Sequence, residues 1–349
     1  MPRYFLGADL GATKTHVLIT DEKGVAIGFG KSGPGNHESV GYKGFKTNLT
    51  QAASQALTMA GLVPAQIAGA GFGIGGYDWP IERKPMLRVI GTLNLGGPVE
   101  VVNDAELGIL TSSPRGWGVA VVSGTGCNCR GWDVTRQHHG RVTGSGLEFG
   151  EAAGASDLMF MVSRAIAYDW SGRGPKTALS STFVEKFGAR DVEDLLQRVI
   201  CHRIEFDASA APLVFQVAAE GDPVAVDLIR WAGRELGQLA LTVIRQLHFE
   251  ELDFDLVQIG SMWDGSPVLT EEAQNVVWEY APAAHFIRSK EPPVLGAVLL
   301  GMEAAGVQPD EGIRATLVRS ISLVLDSESE AGIGFHRVES NVSHGCNES

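Results

Sequence analysis

The sequence predicts an α/β protein of two domains, and three observations support this prediction. The chain has 349 residues, which is more than a single compact core normally accommodates. Its apolar fraction of 44% and its charged fraction of 20% are those of an ordinary globular protein. The third observation is that one order of elements occurs twice along the chain, namely hairpin strands, a glycine turn, and then alternating helices and strands.

The first occurrence is predicted to form a domain over residues 1–112. Its three opening strands are short and apolar, and they are joined by a glycine turn and a charged turn, which is typical of a β-meander. These strands are expected at 4–8, 16–20 and 25–29. The segments that follow alternate between helix and strand: a helix over 44–60, a strand over 67–74, a helix over 81–93 and a strand over 99–102.

The second occurrence is predicted to form a domain over residues 113–325 with a helical insertion. Two apolar strands flank another glycine turn, at 117–123 and 128–132, and a third strand is expected near 137–142. Helices dominate residues 151–248, and the clearest begins after Asp222, because proline follows this N-cap at the first helical position. The last segments alternate again: a strand over 255–259, a helix over 266–280, a strand over 285–288 and a helix over 293–305.

Composition and charge argue against several classes of function. The formal net charge of −13 disfavours binding to nucleic acids or membrane surfaces, because both require basic patches. No apolar run approaches membrane-spanning length, and the chain enters an apolar strand without a secretion signal. Cys127, Cys129, Cys201 and Cys346 lack the spacing of a disulfide framework or a metal site, so free thiols are expected. These features predict a reduced, cytoplasmic protein, with a flexible polar tail over 326–349.

The first candidate site is the turn between the first two strands. A glycine turn such as this one, at Gly11, can direct successive backbone N–H groups toward phosphate oxygens. Thr13 and Thr15 add hydroxyl donors, and Lys14 adds positive charge. Asp9, at the end of the preceding strand, offers the hard oxygen ligand that Mg²⁺ prefers, directly or through water. The alternative is an ordinary β-turn with a solvent-facing aspartate.

Two further segments complete the pattern. Gly124, Thr125 and Gly126 form a second glycine turn after an apolar strand, and two such turns can hold a triphosphate from both sides. Between the two turns, Asp104 follows a buried strand and opens a helix, where a carboxylate can accept a proton from an acceptor hydroxyl. The alternative role for Asp104 is a helix N-cap. The presence of a phosphate turn on each side favours the catalytic role.

These segments resemble motifs of N-acetylglucosamine kinases, which belong to the BadF/BadG/BcrA/BcrD ATPase family of the sugar kinase/Hsp70/actin superfamily. The turns after Asp9 and Ser123 resemble the two phosphate motifs, and Asp104 matches the catalytic aspartate. Gly260 and Ser261 lie in a segment that resembles the adenosine motif. The resemblance implies two actin-like/ribonuclease H-like domains with a nucleotide cleft between them. It also implies ATP and Mg²⁺ as cofactors, a small-molecule sugar as acceptor, and a homodimer.

The resemblance also marks residues expected to contact the sugar. Asn36 and Gly76 match the family's asparagine loop and glycine turn, and Asn103 stands beside Asp104. Gly144, Ser145 and Glu151 lie where the pattern departs, because serine replaces a tryptophan and glutamate replaces an aspartate. We therefore expect a γ-phosphoryl transfer to a hydroxyl of another amino sugar or a related hexose. The alternative is a kinase-fold sensor of ATP or sugar with little turnover.

Two other patterns have weaker support. Gly71, Gly73 and Gly76 have the spacing of a dinucleotide-binding fingerprint, but that fingerprint should follow a strand, whereas Gly71 and Gly73 are expected within one. The pair His138 and His139 lacks a neighbouring group of cysteines or carboxylates, so it does not predict a zinc site.

Overall fold

The computed structural model describes residues 2–330, which form two five-stranded mixed sheets covered by helices. The first sheet has the strand order β3-β2-β1-β4-β5. Its strands are β1 (Tyr4–Leu10), β2 (Thr15–Asp21), β3 (Ala26–Ser32), β4 (Ile67–Ile74) and β5 (Val99–Asn103). The helices of this half of the chain are α1 (His37–Ala60), α2 (Arg83–Gly91) and α3 (Asp104–Ser112).

The second sheet repeats this topology, with the strand order β10-β9-β6-β7-β8. Its strands are β6 (Gly118–Ser123), β7 (Cys127–Trp132), β8 (His139–Arg141), β9 (Phe254–Ile259) and β10 (Ala284–Arg288). In each sheet the first three strands are antiparallel and the last two pair in parallel beside the first. The predicted duplication of architecture is therefore confirmed.

Helices fill the interval between β8 and β9, as the sequence predicts. They are α4 (Ala155–Ser171), α5 (Ala178–Lys186), α6 (Val192–Ile200), α7 (Ala211–Ala219) and α8 (Pro223–Leu247), and α9 (Pro267–Trp278) follows β9. The N-cap of α8 is Asp222, whose side chain accepts a hydrogen bond from the backbone N–H of Ala225 at 2.9 Å. The apolar faces of these helices form one core with the second sheet.

One helix begins well before its predicted start. The sequence predicts a helix from residue 44, but α1 begins at His37. Asn36 caps it by accepting a hydrogen bond from the N–H of Glu38 at 2.8 Å, and the helix is interrupted at Gly41, where φ is 65°. This interruption breaks the apolar periodicity on which the prediction depended. The early start of α1 places its N-terminus beside the glycine turns.

The helix α10 (Val294–Ala304) follows the second sheet in sequence but packs on the first one. Glycines in β1 and β4 allow this close approach, because a β-carbon added to Gly71 would lie 2.2 Å from the carbonyl oxygen of Ala297. Gly73 likewise lies within β4 and packs against Leu107. Gly71 and Gly73 therefore serve helix packing, whereas Gly76 lies after the strand, beside the side chain of Asn36. The predicted domain boundaries stay predictions, but α10 contacts the sheet of the other half.

The helices α3 and α10 cross between the two sheets, and their side chains pack with residues of both. The last helix, α11 (Glu311–Glu330), covers the same face of the first sheet as α10, with Leu317 and Ile321 packed near Phe5, Leu18 and Phe29. It includes residues 326–330 of the predicted tail. Residues 331–349, with Cys346, lie outside the described residues.

Two properties expected from composition can be compared with the structure. Within residues 2–330, no helix combines the length and the apolar character that crossing a membrane requires. Cys127, Cys129 and Cys201 are free thiols, as predicted. Burial raises the pKa of Cys127 to about 12 and that of Cys129 well above its ordinary value, so neither thiol is activated.

Candidate active site

The turn between β1 and β2 is held at a junction of three segments. The N–H of Gly11 donates to the carbonyl of Lys14 at 2.9 Å and closes the turn. Gly35 N–H donates to the carbonyl of Gly11 at 2.9 Å, and Gly75 N–H donates to the carbonyl of Leu10 at 2.8 Å. These bonds bring the segments that contain Asn36 and Gly76 to the turn, as the sequence predicts for a shared site.

The side chains of this turn divide into two groups. Thr13 and Lys14 are exposed, as the phosphate-binding role requires. Thr15 is fully buried, and its hydroxyl donates to the carbonyl of Gly33 at 2.9 Å. The expected phosphate contact of the Thr15 hydroxyl is therefore replaced by a hydrogen bond that stabilises the strand beside the turn.

The second glycine turn joins β6 to β7 and packs on the N-terminus of α4. Gly124 N–H donates to the carbonyl of Gly126 at 2.9 Å. The carbonyls of Gly124 and Thr125 accept hydrogen bonds from the first N–H groups of α4, at 2.8 and 3.0 Å. Gly260, whose φ of 99° favours glycine, lies directly against the carbonyl of Ser123. The predicted adenosine segment is therefore in contact with the predicted phosphate turn.

A cleft with a volume of about 500 Å³ connects the first turn to the adenosine segment. Its walls include Asp9 and Lys14 on one side and Gly260 and Ser261 on the other. The loop between β10 and α10 closes a third side, with Lys290 among its residues. Four of the predicted nucleotide-binding residues therefore line one cavity, although they are widely separated in the sequence.

Asp104 begins α3, but it is not the N-cap of this helix. The cap is Asn103, whose side-chain oxygen accepts from Ala105 N–H at 3.0 Å, while Glu106 accepts from Asn103 N–H at 2.9 Å. One carboxylate oxygen of Asp104 also accepts from Ala105 N–H at 2.9 Å, and the other lies beside Gly75. The N-cap alternative is therefore decided in favour of Asn103, which leaves Asp104 available for chemistry.

Asp9 and Asp104 both have raised pKa values. Burial raises the pKa of Asp9 to about 7, with a further contribution from the charge of Asp104 that nearby Lys14 partly offsets. Burial also raises the pKa of Asp104 to about 6, with a further contribution from the charge of Asp78. Carboxylates with such values occur preferentially at functional sites.

These residues fit a magnesium ion that is shared with a bound nucleotide. Within residues 2–330, no cluster of three or more histidine, cysteine or carboxylate side chains could hold a metal alone. Mg²⁺ usually keeps several waters and binds through one or two carboxylates together with substrate phosphates. Asp9 is a suitable single carboxylate ligand, because a cation would relieve its unfavourable burial beside Asp104.

Replacing Asp9 with asparagine is expected to stabilise the ligand-free protein at neutral and higher pH. Because the folded state raises the pKa of Asp9 from 3.8 to about 7, it binds a proton more readily than the unfolded state between these values. The contribution of Asp9 to the free energy of unfolding therefore falls as the pH rises from 3.8 to about 7. In EDTA, the melting temperature of Asp9→Asn should exceed that of the wild type at about pH 8 and differ less at about pH 5. An equal difference at both pH values would contradict this account.

Asn36 and Gly76, which are expected to contact the acceptor sugar, lie close to Gly75 and Asp104. The side-chain oxygen of Asn36 lies directly beside Gly76, where φ is 77° and a β-carbon would come within 2.4 Å of it. Glu38 also lies beside Gly76. Asn36 thus serves both as the N-cap of α1 and as a wall of this region, and the sequence identified only the second role.

A buried ion pair between Asp78 and Arg130 was not identified from the sequence. Both residues are 5% exposed, and they join the segment after β4 to β7 of the second sheet. Asp78 also accepts hydrogen bonds from the side-chain amides of Asn103 and Asn128, each at 3.4 Å. The available signal was an arginine in the buried part of strand β7, where a charged side chain requires a partner.

The segment that departs from the family pattern folds onto itself. The Glu151 carboxylate accepts hydrogen bonds from the backbone N–H groups of Thr143 and Gly144, both at 2.7 Å, and from the hydroxyl of Thr143 at 2.8 Å. Gly144 lies against Asp78, and Ser145 is exposed. Glu151 is therefore engaged in holding its own loop, and its expected contact with a sugar hydroxyl stays a prediction.

Comparison with known proteins gives a consistent result. The model of the BadF/BadG/BcrA/BcrD ATPase family matches residues 6–301. An N-acetylmuramic acid/N-acetylglucosamine kinase of Clostridium acetobutylicum is 25% identical over 305 residues, which cover 85% of this chain and 98% of that protein. An N-acetyl-D-glucosamine kinase of Dictyostelium discoideum is 25% identical over 315 residues, which cover 86% of this chain and 98% of that protein.

Solved structures show the same fold. A protein of Chromobacterium violaceum assigned as an N-acetylglucosamine kinase has a TM-score of 0.66 at 20% identity, covering 85% of this chain and 98% of that one. A ROK family glucokinase of Streptomyces griseus, in complex with glucose and AMPPNP, has a TM-score of 0.54 at 18% identity. The match covers 87% of this chain and 100% of that one. The two sheets therefore form the two-domain, actin-like ATPase fold of sugar kinases.

Proposed function

Because the chain belongs to the BadF/BadG/BcrA/BcrD ATPase family, we propose that it is an ATP-dependent kinase that phosphorylates a hydroxyl of an amino sugar or a related hexose. The observation that carries the proposal is the position of Asp104. This carboxylate lies at the start of a buried helix, beside Gly75, and its pKa is raised to about 6. Its neighbour Asn103 already caps the helix.

The two glycine turns supply the positioning that phosphoryl transfer requires. The N–H groups of Gly11 and Gly124 close the two turns, so the candidate donors to phosphate oxygens are the backbone N–H groups of residues 12–13 and 125–126. The exposed Lys14 adds a positive charge. Gly260 and Ser261 are the proposed nucleoside contacts, and their position in the wall of the same cleft supports this role. Mg²⁺, held beside Asp9, would neutralise charge on the phosphates.

Asp104 is the proposed general base. It accepts the proton of the acceptor hydroxyl as that oxygen bonds to the γ-phosphorus, and the bond from this phosphorus to the departing ADP oxygen breaks. A base with a pKa near 6 is ionised at neutral pH yet still basic enough to take the proton. Closing the cleft would exclude water as a competing acceptor.

The proposed class of acceptor sugar rests on the relatives of this chain and on the residues at which it differs from the family pattern. Both curated relatives act on N-acetylated amino sugars according to their names, but the identity of 25% supports only the general class. Ser145 and Glu151 change one side of the acceptor region, which favours another amino sugar or a related hexose. Fold-level similarity does not identify the sugar.

A second candidate function is a sensor that binds ATP or a sugar with little turnover. The engagement of Glu151 with its own loop favours it, because this carboxylate already accepts hydrogen bonds from Thr143 and Gly144. Such a protein would bind ligands without sugar-dependent ADP release.

The test is ADP release from Mg-ATP with a panel of hexoses, hexosamines, N-acetylhexosamines and anhydro-sugars. The proposal predicts that at least one sugar stimulates ADP release well above the sugar-free rate. Calorimetric binding of ATP should be measured on the same preparation. Binding of ATP without stimulation by any sugar would reject the kinase proposal and favour the sensor.

A further inference from the structure

A second cavity, with a volume of about 450 Å³, lies between the two halves of the chain and shares no lining residue with the first cleft. One wall comes from the segment Tyr77 to Pro80 and from β5, and the other from Arg130 and β8. Of the predicted site residues, Asn103 alone lines it. The phosphoryl-transfer proposal gives this cavity no role.

One cation on the walls of this cavity has no carboxylate partner. Each of the three carboxylates in its lining has a basic partner, and one of these partners is His139, whose pKa is raised by its hydrogen bond to Glu106. The three pairs are Asp78–Arg130, Glu100–Arg83 and Glu106–His139. Arg141 also lines the cavity but forms no ion pair with a carboxylate of residues 2–330. Its positive charge is therefore not neutralised by a paired carboxylate.

Arg141 is held in place without being neutralised. Its guanidinium donates to the backbone carbonyl of Asp78 and lies 4.7 Å from the ring centroid of Trp79. The Trp79 side chain lines the same cavity and is 47% exposed. A fixed guanidinium beside an exposed aromatic ring can bind an anionic group and a flat or apolar group together.

A second observation concerns Arg130. Although this arginine is 5% exposed, its Nε has no hydrogen-bond partner in the part of the chain that the structure describes. A buried donor without an acceptor is costly, and such groups are usually satisfied by a ligand or by water. Because Arg130 lines the cavity, an acceptor that enters it can complete this hydrogen bond.

We propose that this cavity binds a small molecule with a phosphate or carboxylate group, recognised by Arg141 and Arg130, whose remaining part packs on Trp79. The ligand would contact residues from both halves of the chain, so its binding stabilises their present arrangement. This inference is independent of the proposed kinase activity, because its test measures binding alone.

The test is isothermal titration calorimetry with three probes that are not sugar phosphates: inorganic phosphate, citrate and phenyl phosphate. Saturating Mg-ADP is present so that the glycine turns are not available to the probe. We expect at least one probe to bind at one site per chain. Arg141→Gln should weaken this binding about tenfold or more, because it removes the unpaired positive charge and its hydrogen bonds.

Arg136→Gln is the matched control. Arg136 also lies over a tryptophan, 5.1 Å from the ring centroid of Trp132, but it pairs with Glu303 and does not line the cavity. This variant should bind the probe within about twofold of the wild type. Arg141→Lys keeps the charge, so its affinity for the probe should lie between those of Arg141→Gln and Arg136→Gln. Such an intermediate affinity would show that the loss of binding in Arg141→Gln is not caused by misfolding.

The inference is overturned if the wild type binds none of the three probes at millimolar concentration. It is equally overturned if the two glutamine variants weaken binding to the same extent. Either result is compatible with kinase activity, so the outcome of the sugar panel is judged separately.

Discussion

Replacing Asp104 with asparagine is expected to lower sugar-dependent ADP release by about 10³-fold, which is the range of general-base contributions. Asparagine cannot accept the proton of the acceptor hydroxyl. It should nevertheless leave α3 in place, because Asn103 caps this helix and Glu106 completes the capping box. ATP binding, measured by calorimetry, should stay close to that of the wild type, since the glycine turns are unchanged.

The matched control for this prediction is Asp227→Asn, on the exposed side of α8. The Asp227 side chain is 73% exposed and its ion-pair partner is Arg230, so turnover and stability should be unaffected. Retention of more than about a tenth of the wild-type rate by Asp104→Asn would exclude this residue as the general base. Loss of ATP binding in the same variant would instead indicate a structural role.

Replacing Asp78 with alanine is expected to destabilise the fold by about 3–5 kcal/mol, the range observed when one partner of a buried ion pair is removed. Arg130 would keep its charge in a site where it is 5% exposed. The side-chain amides of Asn103 and Asn128 would also lose an acceptor. Urea unfolding followed by circular dichroism measures this change in the free energy of unfolding.

Two further variants test whether the unpaired charge is the cause. The double variant Asp78→Ala/Arg130→Met removes both charges and should recover a large part of the lost stability. Asp253→Ala breaks the surface pair with Arg115, in which the aspartate side chain is 61% exposed, and should have little effect. If the double variant is no more stable than Asp78→Ala, packing rather than charge explains the loss.

Much of the fold could be predicted because its signals are local. Alternating apolar strands separated by glycine turns specify hairpins, and the pair Asp222 and Pro223 specifies the start of α8, because the cap is completed by an N–H only three residues away. The start of α1 could not be predicted in the same way. Gly41 interrupts its periodicity, and the cap at Asn36 appeared in the sequence only as a substrate-binding residue.

The candidate site likewise has features that the local sequence predicts and features that it does not. The two glycine turns are continuous segments whose hydrogen bonds close within a few residues, so their sequence indicates their geometry. Thr15 lies in the first of these motifs and Glu151 in the segment expected to contact the sugar. Their side chains nevertheless bond to other partners, Gly33 and the loop after Val142. A motif identifies which residues are near a site but does not determine the rotamer of each one.

The sequence by itself determined the duplicated order of strands and helices, the two glycine turns and the identity of the carboxylates, because these depend on hydrophobic periodicity and on turn chemistry over short distances. Only the tertiary structure decided that α10 packs on the first sheet and that Asn103, not Asp104, caps α3. It also decided that Asp78 meets Arg130, 52 positions further along the chain. Such contacts arise when two separately formed sheets pack together, and the packing of complementary surfaces is not encoded in any single segment.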